Sequence, residues 1–339
     1  MRALLREHDA CGVGFVARLD GARHEVLSAA LRAVARMSHR GAVSADGKSG
    51  DGAGVLTQLP YRLLRRDLRL EGIPDRDLAV GMLFLPPRAT DAARAAVEAA
   101  ARAEDLPVLG WRAVPVEPEA LGEYARATQP VIEQVVLGRG AHGDGAFARA
   151  LYLCRRGIER RWREAGVDGY VVSLSHRTLV YKGLFVSPQL PRFYPDLTDP
   201  GYETALAVFH QRYSTNTFPS WRLAQPFRYL AHNGEINTLQ GNVLWTRARE
   251  ATLRTAPPWR DRWADLTPLL TEGASDSAHL DSVLELLVLS GLGLLRALAM
   301  LVPQAWELVE DLDPHLRAFY AYHACLTEPW DGPAALAVS

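Results

Sequence analysis

Cys11-Gly12-Val13-Gly14-Phe15 is the stretch whose reading decides the fold. It follows Glu7-His8-Asp9-Ala10 and opens a run, Cys11 to Leu19, that predicts a β-strand. A cysteine this close to the start of a chain has two readings. As a small apolar residue it packs in a core, the usual fate of a lone cysteine. As a nucleophile it is freed by removal of Met1 to Ala10, and its own α-amino group becomes the neighbouring base. An α-amine has a reference pKa of about 8, far nearer neutrality than lysine, so it can take a proton from a thiol. Spacing alone favours packing; the rest of the chain bears on the choice.

The chain has 339 residues, 48% hydrophobic and 23% charged, with a net charge of −1. That length supports a sizeable core, in two domains or in one large sandwich. The charge balance carries no footprint for nucleic acid or an anionic membrane. Cys11, Cys154 and Cys325 are far apart and odd in number, so they form no disulfide framework. No CxxC pair marks a zinc site and no H-x-x-x-H ligand set marks another metal, so the expectation is no metal and a reducing, cytoplasmic compartment. The first ten residues carry Arg2, Arg6, Glu7 and Asp9 and lack the apolar stretch of a secretory signal. Val283 to Val302 has the length of a membrane span, but Glu285, Arg296, Gly291 and Gly293 interrupt it. It reads as a buried helix.

Hydrophobic spacing gives the remaining elements. Helices are expected over Glu25–Met37, Ala89–Glu104 (with Thr90 as cap), Ala146–Ala165, Asn237–Thr252, from Leu280 and within Val302–Tyr322. Strands are expected over Val55–Leu59, Leu78–Leu85, Val108–Val116, Val131–Leu137, Glu203–Tyr213, Tyr229–Asn233 and from Ala334. Gly169–Gly183, two apolar runs around Ser175-His176, reads as a hairpin. The arginines of the 146–165 helix read as a solvated face, and Cys154 within it as packing. Asp46-Gly47-Lys48-Ser49-Gly50-Asp51-Gly52-Ala53-Gly54 lacks the GxxxxGK[ST] spacing of a phosphate loop. A tight loop that brings backbone close to a site is expected instead. Strand pairs alternating with helix pairs imply layered α and β structure without strict βαβ units.

Five features stand in order: the early Cys-Gly-Val-Gly-Phe, His39-Arg40-Gly41, His210-Gln211-Arg212-Tyr213-Ser214-Thr215, His232-Asn233-Gly234-Glu235-Ile236 and Gly273-Ala274-Ser275-Asp276-Ser277. Together they resemble the class II glutamine amidotransferases. The longer matches, Ser44 to Gly52, Gln211 to Thr217 and Ala224 to Thr238, are similar to the glutaminase domain of glutamate synthase large subunits. The resemblance runs from Cys11 to the last residue.

The resemblance implies an α+β fold, the four-layer αββα sandwich of the N-terminal-nucleophile hydrolases, incomplete at its C-terminal end. It implies a propeptide over residues 1–10, removed autocatalytically, and an amidotransferase domain over 11–339. Cys11 is then the nucleophile that attacks the side-chain amide of L-glutamine. Asn233 and Gly234 supply oxyanion donors, Arg212 grips the substrate α-carboxylate and Asp276 pairs with its α-ammonium. Arg40, Tyr213 and Thr215 support the site, and His210 flanks it. On residue pattern alone, Asn233-Gly234 also reads as a hairpin turn, Arg212 as a surface charge and Asp276 as a helix cap. Glutamate and ammonia are the implied products, the ammonia passing to a synthase domain that aminates 2-oxoglutarate. No cofactor is implied for this chain; FMN and an iron–sulfur cluster are implied for other parts of such an enzyme. The remaining synthase domains and a small electron-donating subunit or ferredoxin are implied partners. Two alternatives stay open on the sequence: an inactive truncated remnant, and the amidotransferase domain of another biosynthetic enzyme.

Overall fold

A computed structural model describes residues 12–212, 218–255, 257–332 and 334–339. They divide into two units, one running to Asn233 and resuming at Leu336–Ser339, the other Gly234–Ala335. In chain order the first carries β1 (Gly12–Ala17), α1 (His24–Arg36), β2 (Ala53–Gln58), α2 (Tyr61–Leu68), β3 (Leu78–Leu85), α3 (Thr90–Ala103), β4 (Val108–Ala113), α4 (Glu123–Ala127), β5 (Val131–Gly138) and α5 (Asp144–Glu164). It continues with β6 (Tyr170–Ser175), β7 (Thr178–Gly183), α6 (Leu190–Phe193), β8 (Leu206–Gln211) and β9 (Leu230–Gly234). The second unit holds α7 (Leu239–Leu253), α8 (Trp263–Leu266), α9 (Asp276–Leu289), α10 (Leu294–Leu301) and α11 (Pro314–Ala324), and β10 (Ala334–Val338) closes the chain. The division falls at the end of β9 and within β10.

Two four-stranded antiparallel sheets build the first unit, in the orders β1-β8-β2-β7 and β4-β5-β3-β6. β3 shows why they stack. All eight of its residues are apolar and buried, so both of its faces need cover. Val80, Met82 and Phe84 share a core with Val55, Leu56 and Val180 of the other sheet. Ala79, Leu83 and Leu85 pack instead with Val97 and Ala100 of α3 and with Phe147, Leu151, Cys154 and Ile158 of α5. On the far side of the first sheet, α1 lies along β1 and β8 and buries Val26, Leu27, Ala30, Leu31 and Val34. Each of these valine and leucine side chains contributes about 1.5–3 kcal/mol when fully buried. The layers run helix, sheet, sheet, helix: the expected α+β αββα sandwich.

Charge crosses between the two sheets. The Arg112 guanidinium on β4 donates to both Asp196 carboxylate oxygens at 2.7 Å and to Asp67 Oδ2 at 2.8 Å. Tyr181 on β7 donates its hydroxyl to Asp196 Oδ2 at 2.7 Å and accepts from Gln134 of β5 at 3.0 Å. Burial drives the Tyr181 phenol well above its ordinary pKa, so it stays a donor.

The structure departs from the sequence expectations in four places. β6 and β7 are not a hairpin: β6 pairs with β3 and β7 with β2, so Ser175 to Thr178 steps from one sheet to the other. The Ser175 hydroxyl accepts from the N–H groups of Arg177 and Thr178 at 3.0 and 3.2 Å and tightens that step. Both strands are buried on both faces, which two strands of one solvent-facing hairpin could not achieve. The apolar run 283–302 is two helices, broken at Gly291, whose φ of +101° is suited to glycine. Thr90 is the first residue of α3, not its cap, and its hydroxyl donates to Pro86 O at 3.1 Å. The arginines of α5 are not uniformly solvated: Arg155 and Arg156 are buried and both grip Glu159, at 2.5 and 2.7 Å. Cys154 on the opposite side is packed as expected, and burial pushes its thiol up to about 12. No described helix is long and apolar enough to cross a membrane.

Candidate active site

The candidate site begins at the end of β8. This strand lies between β1 and β2, with Gln211 opposite both Gly12 and Ala53. Gln211 is fully buried, and its amide oxygen accepts from Ser187 N at 2.7 Å. Ser187 in turn donates its hydroxyl to Val34 O of α1 at 2.8 Å. Gly41, in the His-Arg-Gly motif, has no side chain for a packing reason. A Cβ there would lie 2.1 Å from the Gln211 amide nitrogen.

Arg212 follows and is only 6% exposed. It is not the surface charge that spacing allowed. Its N–H donates to Gly52 O at 2.8 Å and its Nη1 to Asp51 O at 3.4 Å. Those carbonyls are delivered by the glycine-rich stretch. Val43 and Gly50 form an antiparallel bridge, and the Asp46 carboxylate accepts from the N–H groups of Lys48 and Ser49 at 2.9 and 2.7 Å. The Ser49 hydroxyl, donating to Asp46, holds that carboxyl down to about 2. Gly52 has a φ of +126°, and a Cβ there would meet the Ala224 methyl at 2.8 Å. The loop is the expected close backbone approach.

Asn233 is reached through β9. His232, just before it, is held on both main-chain groups: its N–H donates to Gln225 Oε1 at 2.8 Å and its carbonyl accepts from Gln225 Nε2 at 3.2 Å. The same carbonyl takes a hydrogen bond from His210 Nε2 of β8 at 3.1 Å. His210 is fully buried, and desolvation lowers its pKa to about 3, so the ring is neutral. The contact brings the residue before Asn233 against the residue two before Arg212. Asn233 is half-buried and Gly234 is exposed with a φ of +140°, a conformation that favours glycine. The pair is not a hairpin turn, because a helix, α7, follows it and β9 pairs with β10.

In the second unit Ser275 caps α9, its hydroxyl accepting from Ala278 N at 3.3 Å. Asp276 is therefore the first helical residue instead of the cap. Its Oδ1 accepts from Ser277 N at 2.6 Å and its Oδ2 from Ile236 N at 3.1 Å. The segment opened by Gly234 is tied to the head of α9 by that second bond.

Arg40 ends a short turn after α1, with its N–H donating to Met37 O at 2.8 Å. Met37 packs at Gly12, where a Cβ would lie 3.0 Å from the Met37 sulfur. Cys11, Tyr213 and Thr215 lie outside the described residues. Sequence reasoning missed Gln225 and the carbonyls of Asp51 and Gly52. Gln225 stands in the matched Ala224–Thr238 stretch, but a glutamine there carries no signal of its own. Among the described residues, no group of three or more His, Cys, Asp or Glu side chains is gathered as a metal set requires.

The family model for class II glutamine amidotransferases matches residues 11–339. The chain is 45% identical over 341 residues to the glutamate synthase [NADPH] large chain of Azospirillum brasilense, across 98% of this chain and 22% of the relative. It is 47% identical over 346 residues to ferredoxin-dependent glutamate synthase 2 of Synechocystis, across 99% and 22%. It is 43% identical over 350 residues to glutamate synthase [NADH] of Saccharomyces cerevisiae, across 97% and 16%. The chain thus spans about a fifth of the length of the curated relatives it matches. With an αββα sandwich whose central strand leads into a buried arginine, and with a family match across nearly its whole length, the chain belongs to the class II glutamine amidotransferases.

Proposed function

We propose that this chain is the glutamine-hydrolysing part of a glutamate synthase, and that Cys11 is its nucleophile once residues 1–10 are removed. The Cys11 thiol gives its proton to the new α-amine, and the sulfur bonds to the side-chain amide carbon of glutamine. The amide oxygen becomes an oxyanion, which takes hydrogen bonds from the Asn233 side chain and the Gly234 N–H. The C–N bond then breaks, the α-ammonium returns the proton to the leaving nitrogen, and ammonia departs. Water cleaves the resulting thioester to glutamate and restores the thiol. Arg212 binds the substrate α-carboxylate with parallel N–H bonds, and Asp276 pairs with its α-ammonium. Arg40, Tyr213 and Thr215 support the pocket.

One observation carries this reading. Gly12, next in sequence to Cys11, is paired with Gln211, next to Arg212, while His210 of the same strand bonds the residue before Asn233. Three of the assigned residues are each one residue away from that single cluster. The names of the relatives support an onward role: ammonia passes to a synthase part that aminates 2-oxoglutarate. FMN, an iron–sulfur cluster and the contact with an electron-donating subunit or ferredoxin then belong to the rest of such an enzyme. Cytoplasmic residence accords with the unpaired thiols of Cys154 and Cys325.

The test is glutamine-dependent glutamate release beside a Cys11→Ala control, with mass spectrometry of the mature N-terminus. Activity from a chain starting at Cys11, lost in the control and blocked by an electrophilic glutamine analogue attached to that sulfur, is expected. Full activity with Met1 retained overturns the mechanism. A folded, processed protein that releases no glutamate leaves the inactive-remnant reading.

A further inference from the structure

We infer that Gln225 and His210 are positioning residues, which set the peptide between His232 and Asn233 and thereby aim the Asn233 amide. The inference rests on the proposed reading of Asn233 as an oxyanion donor and adds two residues that act through it.

The His232 main chain is gripped from three directions by side chains in its own unit. Gln225 takes its N–H at 2.8 Å and gives a hydrogen bond to its carbonyl at 3.2 Å, a two-point grip by one amide. His210 gives that carbonyl a second donor at 3.1 Å. A carbonyl oxygen has two lone pairs, so both are used. That carbonyl lies in the plane of the peptide bond to Asn233, and a planar peptide turns as one piece. Fixing the oxygen fixes the Asn233 nitrogen and the axis from which its side chain departs.

Both gripping side chains are themselves immobile. His210 is fully buried at the centre of a sheet, and Gln225 is 6% exposed. The hydrogen bond to a carbonyl requires the proton on Nε2, and Nδ1 has no hydrogen-bond partner among the described residues. The ring therefore serves as a fixed neutral donor and not as a proton shuttle. An oxyanion donor is effective in proportion to how well it is aimed before the charge develops. Asn233 sits at a strand end followed by a glycine, where the backbone alone would hold it least.

The experiment is a double-mutant cycle between Gln225 and Asn233 in the full polypeptide, read as kcat and KM for glutamine hydrolysis. Gln225→Met keeps the shape of the side chain and removes both bonds. It is expected to lower kcat roughly 10- to 100-fold with KM within about twofold, because misaiming is a fault of the transition state. With Asn233→Ala already present, the same change is expected to cost less than about twofold further, since there is no amide left to aim. Losses that multiply independently overturn the inference, as does a Gln225→Met protein with wild-type kcat. If Asn233→Ala itself leaves kcat unchanged, the oxyanion reading fails and the positioning role with it, a result distinct from the other two. Should Gln225→Met not fold, His210 carries the test. His210→Gln can place an N–H where Nε2 stood and is expected to retain most of kcat, whereas His210→Leu is expected to lose roughly 10-fold or more. Equal activity in those two variants overturns the inference.

Discussion

Ile236 donates its backbone N–H to Asp276 Oδ2 at 3.1 Å, so the carboxylate proposed to hold the substrate ammonium also holds the chain segment that leaves β9. One side chain has two jobs, and they separate by chemistry. The first needs negative charge; the second needs only an acceptor.

Asp276→Asn removes the charge and keeps one acceptor oxygen, enough for Ile236 N or Ser277 N but not for both. It is expected to raise KM for glutamine about 10-fold or more, in line with a lost charged hydrogen bond of roughly 1.5–3 kcal/mol, with a smaller loss of stability than Asp276→Ala. Asp276→Ala loses both acceptors and is expected to lower stability by about 1–3 kcal/mol. Steady-state kinetics beside urea unfolding distinguish the two. Equal KM for Asp276→Asn and wild type removes the residue from substrate binding.

Arg212→Lys tests the carboxylate grip. A lysine keeps the positive charge but cannot make two parallel N–H bonds. A rise in KM of about 10- to 100-fold with a smaller change in kcat is the expected result. The main-chain bond from residue 212 to Gly52 O is unaffected by the change, so the fold is expected to persist by circular dichroism.

Gly52→Ala probes the loop that delivers the carbonyls. Its φ of +126° and the Ala224 methyl 2.8 Å from a new Cβ make two separate penalties, together roughly 2–4 kcal/mol. Gly47→Ala is the matched control. It also has a positive φ, +69°, but a Cβ there meets nothing within 4 Å among the described residues, so about 1 kcal/mol is expected. Thermal unfolding of the pair measures the difference; equal losses would show that the close approach carries no cost.

Acidification weakens the fold through two desolvated histidines, His210, fully buried, and His176, half-buried. Desolvation lowers His210 to about 3 and His176 to about 4, against an unfolded value near 6.5. Both are neutral in the native state, so below the unfolded value the unfolded chain binds protons that the folded chain does not. Stability is then fully present above about pH 6.5 and falls as pH drops towards the native values, by at most about 1.4 kcal/mol per histidine per pH unit. Urea midpoints between pH 7 and pH 5 check this, above the range where carboxylates such as Asp46 titrate. His176→Gln is expected to flatten the slope; an unchanged slope means that folding does not lower the His176 pKa.

Most elements were legible in the sequence because apolar period and burial coincide. Leu78–Leu85 is the clearest case, bounded identically by pattern and by structure. The β6–β7 step was not legible, because two short apolar runs joined by a turn look the same whether they share a sheet or face each other across a core. The break in the 283–302 run was not read either: hydropathy made one buried helix of it, and the positive φ of Gly291, which ends the first helix there, appears only in the structure. The site was legible only as order along the chain. Arg212 and Asn233 could be singled out by motif, but the amide of Gln225 works through backbone it touches only after folding. Asp51 and Gly52 contribute carbonyls, which every residue has, so no sequence pattern distinguishes them.

The Arg112–Asp196–Tyr181 contacts act as a registration pin between the stacked layers. Aliphatic surfaces tolerate sideways slip, since one greasy contact replaces another. Sliding one sheet by a single strand spacing, about 4.8 Å, would instead leave a buried guanidinium and a buried carboxylate unpaired. The sandwich is therefore keyed against shear, and the strand ends that converge on Arg212 inherit a fixed lateral setting from a lock buried between the sheets.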